Sequence, residues 1–320
     1  MRRQRGFLWV VVAGAAVMAG GTGAEGFYVQ DNGAVTASAG VGVVVDGTEM
    51  GNQGMDSHNF SSDGEVAKTR ITGTTFANTS GTAWIPDKML LEPQAAGGNV
   101  EDEAEIGALH STISAFSDAG GADSIDADGV ANAHAADTVK WGDVLRFTSS
   151  NPVGSKFTLE LSLEVAVTPE GNFTTGDAVF GGFFTGEVSA SAVIHGLPNM
   201  PLTTLGLGVT KSLHADGTVI NDSTAPTEAV TFFVPGGGGV AISVDATLQA
   251  DAFANLGDGQ AVIDAGNTAQ FVVFSDDPLA SYTADSGTVF ATAPEVPEPA
   301  TVGVLVMGAV VMVGRRRGTK

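Results

Sequence analysis

The chain has 320 residues, no cysteine, and 36 acidic against 14 basic residues. Without cysteine there is no disulfide and no thiol nucleophile, so stability must come from a buried core. A net charge of −22 excludes the basic surface that nucleic acid would need, and the length suffices for one large core or two smaller ones.

The first residues set Arg2, Arg3 and Arg5 ahead of an apolar stretch, Phe7–Ala19, followed by small residues. This is the pattern of a secretory signal peptide, expected as a short helix. Cleavage after Ala24 fits the small-x-small rule at Thr22-Gly23-Ala24, and Val17-Met18-Ala19 fits it as well. Residues 1–24 are therefore read as signal, 25–293 as a β domain and 294–320 as a tail. All 36 acidic residues but only seven basic ones fall in 25–299, a net charge of −29. The plainest reading of that charge is a solvated acidic coat.

The domain opens with short β-like pieces. Phe27-Tyr28-Val29 precedes a turn expected at Asp31-Asn32-Gly33, because Asn-Gly tolerates positive φ. Val41–Val45 follows, and then the polar, Gly-rich 46–65, read as loop. Ile71–Phe76 is a candidate strand. Residues 84–107 hold Pro86, Pro93 and the acidic cluster Glu101, Asp102, Glu103 and Glu105; this reads as an irregular acidic excursion, with room for one helical turn at 87–91. Ile106–Phe116 fits helical spacing, but Leu109, Ile113 and Ala115 also fit one face of a strand. Strand is favoured there, and for 119–137 with its alternating alanines.

The clearest periodicity is Lys156–Thr168. Phe157, Leu159, Leu161, Leu163, Val165 and Val167 share one face, while Thr158, Glu160, Ser162 and Glu164 share the other. Such period-2 alternation is a half-buried antiparallel strand with one wet face. Val240–Asp251 and Glu187–His195 repeat the pattern. Val139–Thr148, Thr227–Val234, Ala269–Phe274 and Gly287–Ala291 are further candidates. Gly-, Asp- and Pro-rich turns separate these runs, with no long helical pattern between them. The fold class expected is all-β, an antiparallel β-sandwich of jelly-roll-like type.

The last 25 residues have three parts in order. Val296-Pro297-Glu298-Pro299 is extended and polar, since proline fixes its own φ and disfavours helix in its neighbour. Ala300–Val313 is uncharged and apolar, and Arg315, Arg316 and Arg317 close it as a cytoplasmic stop. The apolar run of 14 residues spans roughly 21 Å as a helix, against about 30 Å of bilayer hydrocarbon. It is a short transmembrane helix.

This arrangement resembles the PEP-CTERM sorting tail of exported bacterial proteins. The resemblance implies an exosortase-type processing protease as partner, attachment to the membrane through the C-terminal helix before processing, and export to the cell envelope, the cell surface or the medium. The plainer reading is an uncut C-terminal anchor. The Ala/Ser-rich strand, the long alternating strand and the closing Asp285–Phe290 also look like other tail-bearing exported proteins, more loosely.

Known catalytic frames are missing. No serine lies in Gly-x-Ser-x-Gly, and no pair of the five histidines has the i, i+4 spacing of a helical zinc site. Glu160 and Glu164 would stand about 13 Å apart along one strand, too far for a glycosidase pair. The one metal candidate is a calcium loop at Ser124, Asp126 and Asp128, followed by Gly129. Its first ligand is serine, and its twelfth position is Ala135 where a bidentate glutamate is needed. The plainer reading is an acidic turn, with no cofactor.

The function expected is therefore non-catalytic: a cell-surface or extracellular-matrix protein associated with exopolysaccharide. The alternative is a carbohydrate-binding module using Phe173, Phe180, Phe183 and Phe184, and after that a secreted hydrolase.

Overall fold

Residues 26–39, 43–45, 48–50, 54–66, 69–85, 90–118, 131–173 and 181–291 are described by a computed structural model. The signal helix with Ala24, the Ser124–Asp128 loop, the sorting motif Val296–Pro299, the apolar run and Arg315–Arg317 all lie outside these residues. Among the described residues every regular element is a strand, and no helix is long and apolar enough to cross a membrane.

The chain forms β1 (Tyr28–Ala39), a small hairpin of β2 (Val43–Val45) and β3 (Thr48–Met50), and β4 (Gly54–Val66). Three long strands follow: β5 (Arg70–Ile85), β6 (Leu90–Glu105) and β7 (Ala108–Asp118). Next come β8 (Ala131–Ser149), β9 (Ser155–Leu163) and β10 (Ala166–Asn172). The second half holds β11 (Phe183–Leu197), β12 (Met200–His214), β13 (Val219–Ser223), β14 (Thr227–Val234), β15 (Gly239–Asn255), β16 (Asp258–Phe274) and β17 (Ala280–Ala284).

Apart from the β2–β3 hairpin, these strands build two antiparallel sheets. One runs β13-β12-β11-β15-β8-β1-β4, with β17 continuing the β1 side of β8. The other runs β14-β9-β16-β7-β6-β5, with β10 beside the first half of β16. The sheets pack face to face: β1 lies over β5 and β6, β8 over β6 and β7, and β15 over β7 and β16. One continuous apolar cluster fills the space between them.

Alternation explains the core. In β8 the inward series is Ala131, Ala133, Ala135, Asp137, Val139, Trp141, all buried. In β15 it is Ile242, Val244, Ala246, Leu248 and Ala250. Aromatic rings gather at one end, where Phe147 meets Phe157 at 4.8 Å and Phe232 at 5.0 Å. Trp141 meets both Phe271 and Phe290 at 5.6 Å.

Several sequence expectations change. No turn occurs at Asp31-Asn32-Gly33; β1 runs through it unbroken, paired on both edges. Residues 46–65 are not simply loop, because β3 and most of β4 lie there, and hydrogen bonding to β1 holds the polar β4 extended. Residues 84–107 are not an irregular excursion: β6 fills most of them between β5 and β7. Even Pro93 is accommodated in β6, where that end pairs only with β5. Lys156–Thr168 is two strands, since the chain breaks at Glu164-Val165 to pass from β9 to β10, both of which pair with β16. Gly287–Ala291 contributes a single parallel bridge, Val272 to Ala291. The alternation of β7, β11 and β15 stands as expected, and the candidate Thr227–Val234 is the strand β14.

Candidate metal centre

Three aspartates occupy positions that alternation reserves for the core. Asp31 follows Val29 in the inward series of β1, Asp102 follows Val100 in β6, and Asp137 follows Ala135 in β8. Their exposures are 1%, 7% and 3%. Asp137 stands opposite Gly33, two residues along from Asp31 on the neighbouring strand. Asp102 reaches them from the other sheet. One carboxylate oxygen from each lies within 4.8 Å of the others.

The surroundings give these carboxyls little compensation. The Gly73 amide donates to Asp102 Oδ1 at 2.9 Å. Asp31 Oδ1, Asp102 Oδ2 and both oxygens of Asp137 find no donor. No cation is among the groups that shift their affinities for protons. The two described arginines, Arg70 and Arg146, pair with Glu103 and Asp285 respectively. Ser111 stands directly opposite Asp102 in the β6–β7 ladder. Its hydroxyl is 1% exposed and also unpartnered, and it lies against Asp137.

Burial disfavours the charged form of each carboxyl. It pushes Asp31 up to about 8, with the contact and charge of Asp102 adding to it. Burial also raises Asp102, against its contacts with Asp31 and Asp137 and then the Gly73 amide, all of which favour its anion. Asp137 is raised well above the ordinary range by burial and then by the Asp102 charge. Three ionised carboxylates cannot share this space alone. Either protons or a cation must reduce the charge. Enclosed between the sheets, the trio is not open to a polymeric substrate.

The sequence-based site residues Ser124, Asp126, Asp128, Ala24, Val296–Pro299 and Arg315–Arg317 lie outside the described residues, and the buried aspartates were not among the sequence candidates. The aspartates that do converge were hidden by local context: Asp31 in an apparent turn, Asp102 in an acidic run, Asp137 at the end of an alanine stretch. The available signal was parity, a charge falling on the apolar side of a period-2 pattern.

The remaining candidates disperse. His134 Nε2 sits 3.0 Å from Asp251 Oδ1 and stacks on Phe253, with ring centres 4.0 Å apart. His58 lies beside Asp56. Among the described residues only Asp31, Asp102 and Asp137 bring three ligand-type groups together. Phe184 is fully buried, with Phe173 stacked on it at 4.9 Å. Its ring covers the backbone of Gly171 and its neighbour Gly259, where any Cβ would collide with it. Phe183 is half-buried against His214, and Phe180 lies outside the described residues. The three described rings do not form a flat sugar platform.

No protein-family model matches the chain, and no curated protein matches it.

Proposed function

We propose that this is an exported, non-catalytic protein of the cell surface or extracellular matrix. In this reading a signal peptide delivers it, and a PEP-CTERM-type tail sorts it through an exosortase-type protease. The observation that carries the reading is the ordered tail: Val296-Pro297-Glu298-Pro299, the apolar Ala300–Val313, then Arg315-Arg316-Arg317. The net charge of −29 over 25–299 suits a hydrated outer layer and association with polysaccharide through bridging cations. The chain's repeated passage between the two sheets is in keeping with a jelly-roll-like sandwich as the exported body.

The lead-in to the tail supports this reading. Phe290 is buried against Trp141, Phe271 and Tyr282, and Tyr282 Oη donates to its carbonyl at 3.2 Å. Four residues then separate Ala291 from Val296, five Cα steps with a reach of at most about 18 Å. A folded body so close to the membrane leaves the Pro-Glu-Pro element as the extended stretch on which a protease can act. The two prolines keep Glu298 out of the following helix.

The test is intact mass in a host that carries the protease. Wild type should lose the apolar run and the arginines and leave the membrane fraction, whereas Glu298→Ala should retain residues through Lys320. If both keep the full tail and stay in the membrane, the protein is a plain single-span anchor protein and the sorting reading falls.

A further inference from the structure

We propose that Asp31, Asp102 and Asp137, with the hydroxyl of Ser111, form a buried binding site for a hard divalent cation, calcium foremost. The inference goes beyond the sorting reading and does not depend on it.

Geometry comes first. Two oxygens on one calcium at about 2.4 Å can lie no more than about 4.8 Å apart, and the three carboxylates meet that bound. The donor set is all oxygen, with no imidazole or thiolate, which selects calcium, magnesium or manganese over zinc or copper. Calcium tolerates the irregular cage that ligands from two sheets would give.

Ser111 is the independent observation. An inward position between sheets would ordinarily take alanine or valine. Here a buried serine lies against Asp137 with its hydroxyl at no partner's hydrogen-bond distance, beside three carboxylates that each keep at least one unpartnered oxygen. Unpaired buried oxygens are costly singly. Three carboxylates gathered within 4.8 Å, with an unpartnered hydroxyl against one of them, are a donor set that a hard cation would satisfy. The donors come from β1, β6, β7 and β8, so the ion would pin the two sheets together where β8 passes from its alanine half to its aromatic half.

The site lies towards one side of the sandwich. β1 and β6 are each one strand from a sheet edge. The β1–β4 ladder shifts register between Val29 and Asp31, beside the site. Such irregularities commonly occur next to functional groups.

The exported protein, stripped with EDTA and dialysed, is titrated by calorimetry with CaCl2, MgCl2 and MnCl2 and melted with each. One equivalent of calcium should bind. At about 100-fold over Kd it should raise Tm by roughly 5–10 °C. Asp137→Asn and Asp102→Asn should each weaken binding by more than about tenfold. In EDTA they should melt no lower than wild type, because each removes a like charge from the buried trio. Asp222→Asn, on the exposed β13, should leave binding unchanged. Absence of saturable binding and of any Tm shift with all three cations overturns the proposal, as does one-to-one binding that survives Asp137→Asn. Should the aspartate variants not fold, Ser111→Ala decides, since it removes one ligand oxygen and no charge: affinity at the wild-type value overturns the site as drawn.

Discussion

Asp277 shows how a single half-buried carboxylate can order two loops. Its Oδ2 accepts from Ser155 Oγ at 2.6 Å and from Asn151 Nδ2 at 2.8 Å, and its Oδ1 accepts from the Leu279 amide at 2.9 Å. These bonds, Ser155 foremost, hold its carboxyl below the ordinary range. A depressed folded value means the native state binds its proton less tightly than the unfolded chain does. The stabilisation is therefore complete above the unfolded value of about 3.9 and vanishes as pH falls through the lowered one. Asp277→Asn should lower Tm at pH 7, and the gap from wild type should close below about pH 4. Melts at several pH values check this; a gap that stays constant would assign the effect to shape instead of charge. The buried trio has the opposite electrostatics, with burial raising every member, and no local motif around Asp31, Asp102 or Asp137 announces it.

At the scale of the element, alternation carries most of the information. β9 keeps Phe157, Leu159, Leu161 and Leu163 buried while Lys156 is exposed and Thr158, Glu160 and Ser162 are half-exposed. Glu160 faces outward between Ala229 and Val272 of the flanking strands. Leu161→Asp removes about 1.5–3 kcal/mol of burial and also places a charge in the core, so it should abolish the folded yield. Glu160→Lys should stay within about 0.5 kcal/mol of wild type. Soluble yield and denaturant midpoints measure both, and equal tolerance would mean the faces are reversed. Alternation did not reveal the break at Glu164-Val165, because residues on either side keep the same parity and β9 and β10 both pair with β16. Nor did it mark β12, whose outer end carries the exposed Met200 and Leu202, or β6, whose acidic residues masked a regular strand.

Across the whole molecule, the two sheets share one core, and most of the strand pairings join segments far apart in the sequence. β1 pairs with β8 about a hundred positions on, and β8 with β15 at a similar separation. Neither sheet can bury its inner face alone, so both should unfold together. Trp141 fluorescence and far-UV circular dichroism should give superimposable denaturant curves; separate transitions would show that the halves are independent. Such non-local pairing also places folding in the millisecond-to-second range.

The sequence by itself determined the all-β class, the inward faces of β7, β9, β11 and β15, and the expectation of an export signal and a sorting tail. Side-chain parity and short ordered motifs are local properties, so they can be read without knowing which strand lies next to which. Strand order, the continuity of β1 through Asn32-Gly33 and the regularity of β6 were decided by tertiary pairing: hydrogen bonds from neighbours on both edges override the turn preference of Asn-Gly and the weak strand propensity of an acidic run. The convergence of Asp31, Asp102 and Asp137 belongs to the same class. It depends on β1 lying beside β8 and both lying across from β6, a relation among segments up to 106 positions apart that no single stretch of the chain encodes.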